Sequence, residues 1–157
     1  MEKKELTYEA AKETALRILE YRQNSEKELR DKLRFRGAYE KDIDRIIEFC
    51  KEYKLIDDRE YAKRKARDLA NLKKMGKRRI YSELRAKGID GQWIQEALEE
   101  LEDVEEEEVL LPLVRKRLKG DFEKKNVDRV LRYFTYRGYS FSDIKRCVER
   151  IKEEDGI

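Results

Sequence analysis

Apolar positions repeat three times along this chain, each time in the same register around a basic residue followed by glycine. The three glycines, Gly37, Gly88 and Gly138, are 51 and 50 positions apart. An apolar residue lies four positions before each glycine, another lies eight before it, and an isoleucine lies six after it. These positions are Leu33, Leu84 and Phe134; Leu29, Ile80 and Val130; and Ile43, Ile94 and Ile144. Such periodicity indicates a repeat protein, whose stacked units build a long surface.

Between these landmarks the apolar residues recur at helical spacing, and each unit has room for three helices. We therefore predict an all-α fold of three tandem three-helix repeats, helix-turn-helix-like, in an extended curved array. The predicted units are residues 1–55, 56–103 and 104–157. A unit of about 50 residues buries little apolar surface alone, so we expect neighbouring units to share a core.

Polar residues mark the predicted helix starts, with Thr7 placed to cap the first helix and the third unit beginning inside the acidic run 105–108. Three capping boxes or box-like pairs are predicted: Ser25 with Glu28, Asp57 with Glu60, and Ser140 with Asp143. Each repeat glycine is expected to close the second helix of its unit in the left-handed conformation. The single proline, Pro112, is expected near the start of its helix, where proline is tolerated.

A net charge of +3 conceals a strong asymmetry between segments. Residues 1–60 are balanced, with 15 basic and 16 acidic side chains. Residues 61–90 carry 11 basic and 3 acidic side chains, whereas residues 91–108 carry 9 acidic and no basic ones. The cationic block favours an anionic partner, either nucleic-acid phosphates or carboxylates on a protein. A solvated face crossed by salt bridges is the structural alternative.

A helical wheel places most of these cations on the outer faces of two successive helices, with the others in the turn between them. The candidate partner-binding residues are Lys63, Arg64, Arg67, Lys73, Lys74, Lys77, Arg78, Arg79, Arg85 and Lys87. Only Asp68 and Glu83 are acidic residues in register with this face. We interpret it as a basic surface whose charges are largely unpaired.

A secondary basic patch is predicted in the third repeat, where tyrosines and a phenylalanine interleave with the cations. It comprises Arg115, Lys116, Arg117, Arg129, Arg132 and Arg137, with Lys119 beside them. Aromatic rings near arginines can stack on nucleic-acid bases. Each ring taken singly also fits packing between helices or repeats.

Several kinds of active site lack their usual residues. The chain has no histidine, the commonest general base and metal ligand. Cys50 and Cys147 fall in the third helices of their units, where we expect buried thiols and not a zinc site or disulfide. We therefore predict no catalytic residue, no metal, no cofactor and no small-molecule substrate. The absence of a signal peptide and of a long apolar run predicts a cytoplasmic protein without a membrane partner.

Three stretches of the chain, taken together, match a known family. They are Ala15–Leu19 with Arg22, Ser25–Arg30 and Leu33; Leu55–Asp58 with Tyr61 and Ala62; and Gly76–Ile80 with Glu83–Arg85 and Lys87–Ile89. These stretches resemble the RecX family of bacterial regulators of the RecA recombinase, and the resemblance runs from about Ala15 to Ile151. The third repeat keeps Arg137–Tyr139 and is otherwise looser.

The resemblance implies a non-enzymatic protein that lies in the groove of the RecA–DNA filament. It implies inhibition of strand exchange, ATP hydrolysis and coprotease activity, and hence a role in DNA repair, recombination and the SOS response. The implied partners are the RecA filament and single- or double-stranded DNA, bound directly or within the filament. Two alternatives stay open: a tri-helical DNA-binding module that clamps phosphates, and a structural interaction protein with an unrelated partner.

Overall fold

The computed structural model describes residues 6–101 and 106–157, and within these ranges the chain forms nine α-helices and no strand. The helices are α1 (Tyr8–Tyr21), α2 (Glu26–Phe35), α3 (Glu40–Glu52), α4 (Asp58–Asn71), α5 (Lys77–Ala86), α6 (Gly91–Glu99), α7 (Glu106–Leu118), α8 (Lys124–Tyr136) and α9 (Phe141–Glu154). Helices pack mainly against others of the same group of three. The predicted all-α fold of three-helix repeats is therefore confirmed, with repeat 1 formed by α1–α3, repeat 2 by α4–α6 and repeat 3 by α7–α9.

Buried apolar side chains form three separate clusters, one inside each repeat. The first contains Ala11, Ala15, Leu29, Leu33, Ala38, Ile43, Ile46, Ile47, Cys50 and Ile56. The second contains Tyr61, Ala62, Ala66, Leu69, Ile80, Leu84, Ile89, Ile94, Ala97 and Leu98. The third contains Leu110, Val114, Leu118, Val130, Phe134, Tyr139, Ile144, Cys147, Val148 and Ile151. The prediction of a shared core is wrong, because three short helices close around each cluster and leave the repeats to meet through polar contacts.

The two cysteines are buried and free, as predicted. Burial, the largest effect, and the carboxylates of Glu107 and Asp143 raise the pKa of the Cys147 thiol to about 11. Burial also raises the pKa of Cys50. Both side chains therefore stay protonated near neutral pH and act as small apolar core residues.

The predicted helix caps are confirmed at Thr7, Ser25 and Ser140, whose hydroxyls accept hydrogen bonds from backbone N–H groups of the first turn. At Ser25 the box is complete, since the Glu28 carboxylate accepts from the Ser25 N–H at 3.1 Å. Asp57 caps α4 by accepting from the Arg59 and Glu60 backbone N–H groups, but the Glu60 side chain does not complete a capping box as Glu28 does in α2. The interpretation of that pair as a full capping box is therefore wrong.

The prediction for Pro112 is also wrong. Helix α7 begins at Glu106, inside the acidic run, so Pro112 lies well within the helix and not in its first turn. Three glutamates in the first turn complement the helix dipole there. Residue 105, the first of the run, lies outside the described residues.

The basic–glycine turns end α2, α5 and α8 as predicted. Gly37, Gly88 and Gly138 have φ values of 94°, 80° and 102°, in the region that glycine adopts without a steric penalty. In each turn the residue after the glycine donates its N–H to a carbonyl in the last turn of the helix, which satisfies a terminal acceptor. The chain then turns sharply into the third helix of the repeat.

The same turns also join the repeats. At the junction between repeats 2 and 3, the Gly76 N–H donates to the Arg137 carbonyl at 2.8 Å, and the Arg78 N–H donates to the Gly138 carbonyl at 3.3 Å. The start of α5 therefore docks on the glycine turn that follows α8. A Cβ on Gly76 would lie 2.4 Å from the Gly138 carbonyl carbon, which shows how closely the two backbones approach.

An equivalent junction joins repeats 1 and 2. The Ser25 hydroxyl, at the start of α2, donates to the Lys87 carbonyl at 2.7 Å, and the Glu26 N–H donates to the Asp58 carboxylate at 2.8 Å. In repeat 1 the corresponding glycine turn contacts the segment before α1, because the Leu6 N–H donates to the Gly37 carbonyl at 3.3 Å. Each glycine turn is thus a docking point for an incoming backbone segment.

Ser25→Ala is expected to destabilise the protein more than Ser140→Ala. Both serines cap a helix, and a lost cap costs about 1 kcal/mol. Only Ser25 also bonds to a carbonyl of the next repeat, so its loss leaves a partly buried acceptor unpaired and costs about 1 kcal/mol more. Urea denaturation of the two variants measures the difference, and equal destabilisation would contradict a role for Ser25 in the junction.

Candidate nucleic-acid interface

A groove between the end of α4 and the helices α7 and α8 gathers positive charge from two repeats. Its volume is about 780 Å³. The cations that line it are Lys73, Lys74, Lys116, Arg117, Lys119, Arg129 and Arg137, and we call this surface the basic groove. The other lining residues are Leu113, Leu118, Asp121, Asn126, Val130, Tyr133 and Phe134. The groove therefore combines an apolar floor with cationic walls.

The seven cations of the basic groove are not neutralised by any carboxylate in the described part of the chain. None of them has an ion pair within residues 6–101 and 106–157. The Arg117 guanidinium lies 3.3 Å from the centroid of the Tyr133 ring, and Arg137 donates to the Lys73 carbonyl. Asp121, the one acidic residue of the lining among those that the structure describes, accepts the Glu123 N–H at 3.0 Å and so serves the start of α8. Unpaired like charges in a concave surface concentrate positive potential and attract anions.

Helix α8 forms one wall of the basic groove because four residues in and directly after it share a face. Asn126, Arg129, Tyr133 and Arg137 follow one another at intervals of three or four residues, which places them on one helix face. The Asn126 amide donates to the carbonyls of Leu118 and Asp121, at 3.1 and 2.8 Å. These bonds hold the α7–α8 connection against α8 and fix the position of the cations at the end of α7.

The structure divides the predicted secondary patch. Lys116, Arg117, Arg129 and Arg137 lie in the basic groove. Arg115 instead pairs with Glu154 and, at 3.6 Å, with Asp155. Arg132 is exposed outside the groove, in a shallow depression that Leu131, Tyr136 and Phe141 also line. The patch predicted as one surface therefore contributes to two separate surfaces, and Arg115 is neutralised by carboxylates.

Only Lys73 and Lys74 of the ten cations predicted in repeat 2 line the basic groove. Lys63 is 19% exposed, and its Nζ lies 3.2 Å from a Glu100 carboxylate oxygen and 3.6 Å from one of Glu96. The hydrogen bond to Glu100 is the largest influence that raises the pKa of Lys63. The interpretation of Lys63 as an unpaired charge is wrong, because α6 packs against α4 and brings distant glutamates beside it.

Two further predicted cations stabilise contacts between repeats. Arg79 pairs with Glu83 at 3.0 Å and lies 4.6 Å from the centroid of the Tyr136 ring in repeat 3. Lys87 lies 3.7 Å from a Glu28 carboxylate oxygen in repeat 1. Both residues therefore have structural partners: the Arg79–Glu83 pair follows the helical spacing of the sequence, whereas the Lys87 contact contradicts its interpretation as an unpaired charge.

The remaining predicted cations are spread over other surfaces. Arg64, Arg67 and Arg78 are exposed and have no ion pair in the described part of the chain, and Arg85 donates to the Ile89 carbonyl at 3.2 Å. The Lys77 N–H donates to the Glu106 carboxylate at 2.8 Å, across the junction between repeats 2 and 3. Arg67, Lys74 and Lys77 line a smaller cavity of about 260 Å³ beside the basic groove.

The sequence analysis identified most cations of the basic groove but did not predict that they line one surface. It assigned Lys73 and Lys74 to one surface and Lys116, Arg117, Arg129 and Arg137 to another. The role of Asn126 in holding the connection was also missed. The helical spacing of Asn126, Arg129 and Arg137 is the signal that could have indicated the α8 wall of the basic groove.

Comparison with known proteins places the chain in a family. Residues 11–50 match the family model of the first three-helix domain of RecX, and residues 57–98 match the model of the second. A regulatory protein RecX from Clostridioides difficile is 35% identical over 151 residues, which cover 94% of this chain and 71% of that protein. The chain belongs to the RecX family. It is thus a member of a family of regulatory proteins.

Other RecX proteins extend the likeness over the whole chain. The regulatory protein RecX of Vibrio parahaemolyticus is 34% identical over 148 residues, which cover 93% of this chain and 94% of that one. The crystal structure of RecX from Lactobacillus salivarius matches with a TM-score of 0.79 at 27% identity, over 96% of this chain and 97% of that chain. A second crystal structure of a regulatory protein RecX matches with a TM-score of 0.82 at 25% identity. The third repeat is therefore part of the shared RecX fold.

Residues 6–101 and 106–157 contain neither a membrane-spanning helix nor a metal-site cluster. None of their helices is both long and apolar enough to cross a membrane. These residues also contain no cluster of three or more acidic or cysteine side chains with the arrangement of a metal site.

Proposed function

We propose that this RecX-family chain binds the RecA–DNA filament and inhibits recombination, ATP hydrolysis and coprotease activity by RecA. The protein acts without catalysis and without a cofactor, in the cytoplasm. A rigid row of repeats spans neighbouring subunits of the filament and obstructs the groove that incoming DNA must enter. Regulation of RecA in this way affects DNA repair and recombination.

The basic groove is the observation that carries the proposal. It has seven cations and no ion pair to a carboxylate in the described residues. Its place between repeats 2 and 3 lets a bound polyanion contact two units at once. Phosphate contacts of this kind give affinity and position without reading sequence, which suits a regulator that must act wherever a filament forms.

A plain DNA-binding module is the second candidate function, and the same groove favours it. In that case the protein acts only by competing with RecA for DNA. For each tenfold rise in salt concentration, the affinity for naked duplex would then fall by about 0.9 logarithmic units per phosphate contact. Both candidate functions are compatible with the predicted units, which are residues 1–55, 56–103 and 104–157.

RecA ATPase activity on single-stranded DNA separates the two candidates. We expect half-maximal inhibition at a concentration of this protein at least about tenfold below its Kd for naked DNA at the same salt, because the filament supplies protein contacts as well as phosphates. Anisotropy of labelled DNA over a salt series gives that Kd. If inhibition and DNA binding required the same concentration at every salt tested, simple competition for DNA would replace filament binding.

A further inference from the structure

We infer that the basic groove grips the sugar–phosphate backbone of a single nucleic-acid strand and leaves its bases facing outward. The inference rests on the proposed function and names the ligand of its site. Three features of the groove carry it: the placement of the cations, the state of the aromatic rings, and the use of the polar side chains.

The cations lie on several sides of a concavity. Lys73 and Lys74 follow α4, Lys116, Arg117 and Lys119 come from the end of α7, and Arg129 and Arg137 come from α8. A flexible single strand can lie between these walls and contact all of them. A stiff duplex carries its phosphates on the outside of a rod and meets only the rim. Single-strand binding proteins use a positively charged groove that follows the backbone in this way.

The aromatic rings of the groove are not available to bases. The Tyr133 ring is covered by the Arg117 guanidinium at 3.3 Å, and Phe134 is only 4% exposed in the repeat 3 core. The widely exposed rings of α8 and α9, Tyr136 and Phe141, do not line the groove but a separate depression beside Arg132. Base stacking, the usual second component of single-strand binding, is therefore missing from this groove.

The polar side chains of the groove are also occupied. The Asn126 amide donates to two carbonyls, and the Asp121 carboxylate accepts the N–H of Glu123. Base edges are usually read by amide and carboxylate groups such as these. Most of the hydrogen-bond donors left free in the groove thus belong to lysine and arginine, which suit phosphates. A strand held in this way keeps its bases exposed and is bound without regard to sequence.

An abasic strand provides the direct test. We compare three labelled ligands by anisotropy: a single strand of roughly 15 nucleotides, within the usual span of single-strand sites, an abasic strand of equal phosphate count, and a hairpin duplex. We expect the abasic strand to bind within about twofold of the normal strand, and the duplex to bind about tenfold more weakly. For each tenfold rise in salt concentration, the affinity for the single strand should fall by about 0.7 logarithmic units per phosphate contact.

Two neighbouring arginines supply the matched variants. Arg129→Glu lies in the groove and is expected to weaken single-strand binding at least about tenfold, whereas Arg132→Glu, one helical turn away and outside the groove lining, changes it less than about twofold. Lys116→Glu repeats the test from α7 if Arg129→Glu fails to fold by circular dichroism. Linear polyphosphate is expected to compete, since it offers the same phosphate chain.

Several results would overturn the inference. They are a loss of tenfold or more on removing the bases, tighter binding of the duplex, or equal effects of the two arginine variants. RecA inhibition by the unaltered protein is measured alongside. If the protein inhibits RecA but its binding depends strongly on the bases, only the backbone grip is rejected. If it binds the backbone but does not inhibit RecA, only the filament function is rejected.

Discussion

Reversal of two charges in the basic groove, by Lys116→Glu together with Arg129→Glu, is expected to weaken inhibition of RecA at least about 100-fold. The two side chains come from different helices and converge on one concavity. A hydrogen bond to a charged group contributes about 1.5–3 kcal/mol, or roughly 10–100-fold in affinity for each lost contact. Reversal adds repulsion of the same phosphates. The measurement is the concentration for half-maximal inhibition of RecA ATPase on single-stranded DNA.

A matched double variant separates the groove from net charge. Arg132→Glu with Lys145→Glu changes the overall charge by the same amount at exposed positions outside the groove. We expect this control to inhibit RecA within about threefold of the unaltered protein. If both double variants lost inhibition equally, overall charge and not the groove would be the determinant.

Gly138→Ala is expected to produce the largest loss of stability among single changes at the repeat junctions, about 3 kcal/mol or more. Gly138 has φ of 102°, and a Cβ there would lie 2.4 Å from the Cβ of Arg79 and 2.5 Å from its backbone nitrogen. The backbone conformation costs an L-residue about 1–2 kcal/mol, and forced overpacking adds about 1–3 kcal/mol. Chemical denaturation measures the change in the free energy of unfolding.

Gly120→Ala is the control for backbone conformation alone. Gly120 also has a positive φ, of 73°, but a Cβ there meets nothing within 4 Å. We expect this change to cost only about 1 kcal/mol. Equal losses at the two glycines would show that close packing at the junction contributes nothing.

Gly138→Ala is also expected to weaken single-strand binding, although it removes no charge. The groove takes Lys73 and Lys74 from repeat 2 and its other cations from repeat 3, so its shape depends on how the two repeats dock. Arg137, which precedes the glycine, holds the Lys73 carbonyl across the junction. Affinity should fall about tenfold at a temperature where circular dichroism shows the helices intact.

Local sequence signals predicted the helices and their boundaries well. A capping serine acts through its own first turn, and a glycine closes the helix in which it stands, so both effects are encoded within a few residues. The Ser25 box and the left-handed glycines were predicted for this reason. Pro112 was misplaced because packing of α7 in the third core outweighs the local preference of proline for a first turn.

The candidate site could be predicted only in part. A helical wheel shows which residues of one helix share a face, and it placed Arg64 and Arg67 correctly on an outer surface. It contains no information about a neighbouring helix. Lys63 was therefore taken as unpaired, although α6 brings Glu96 and Glu100 beside it.

The sequence by itself determined that this protein is an all-α chain of three repeats with a positive central block, because periodicity, caps and composition act locally. The tertiary structure decided which cations are neutralised and which converge. Charges interact through distances in space, and docking of α5 on the Gly138 turn brings Lys73 of repeat 2 to Arg137 of repeat 3, 64 positions away. One basic groove results from two patches that lie far apart in the sequence.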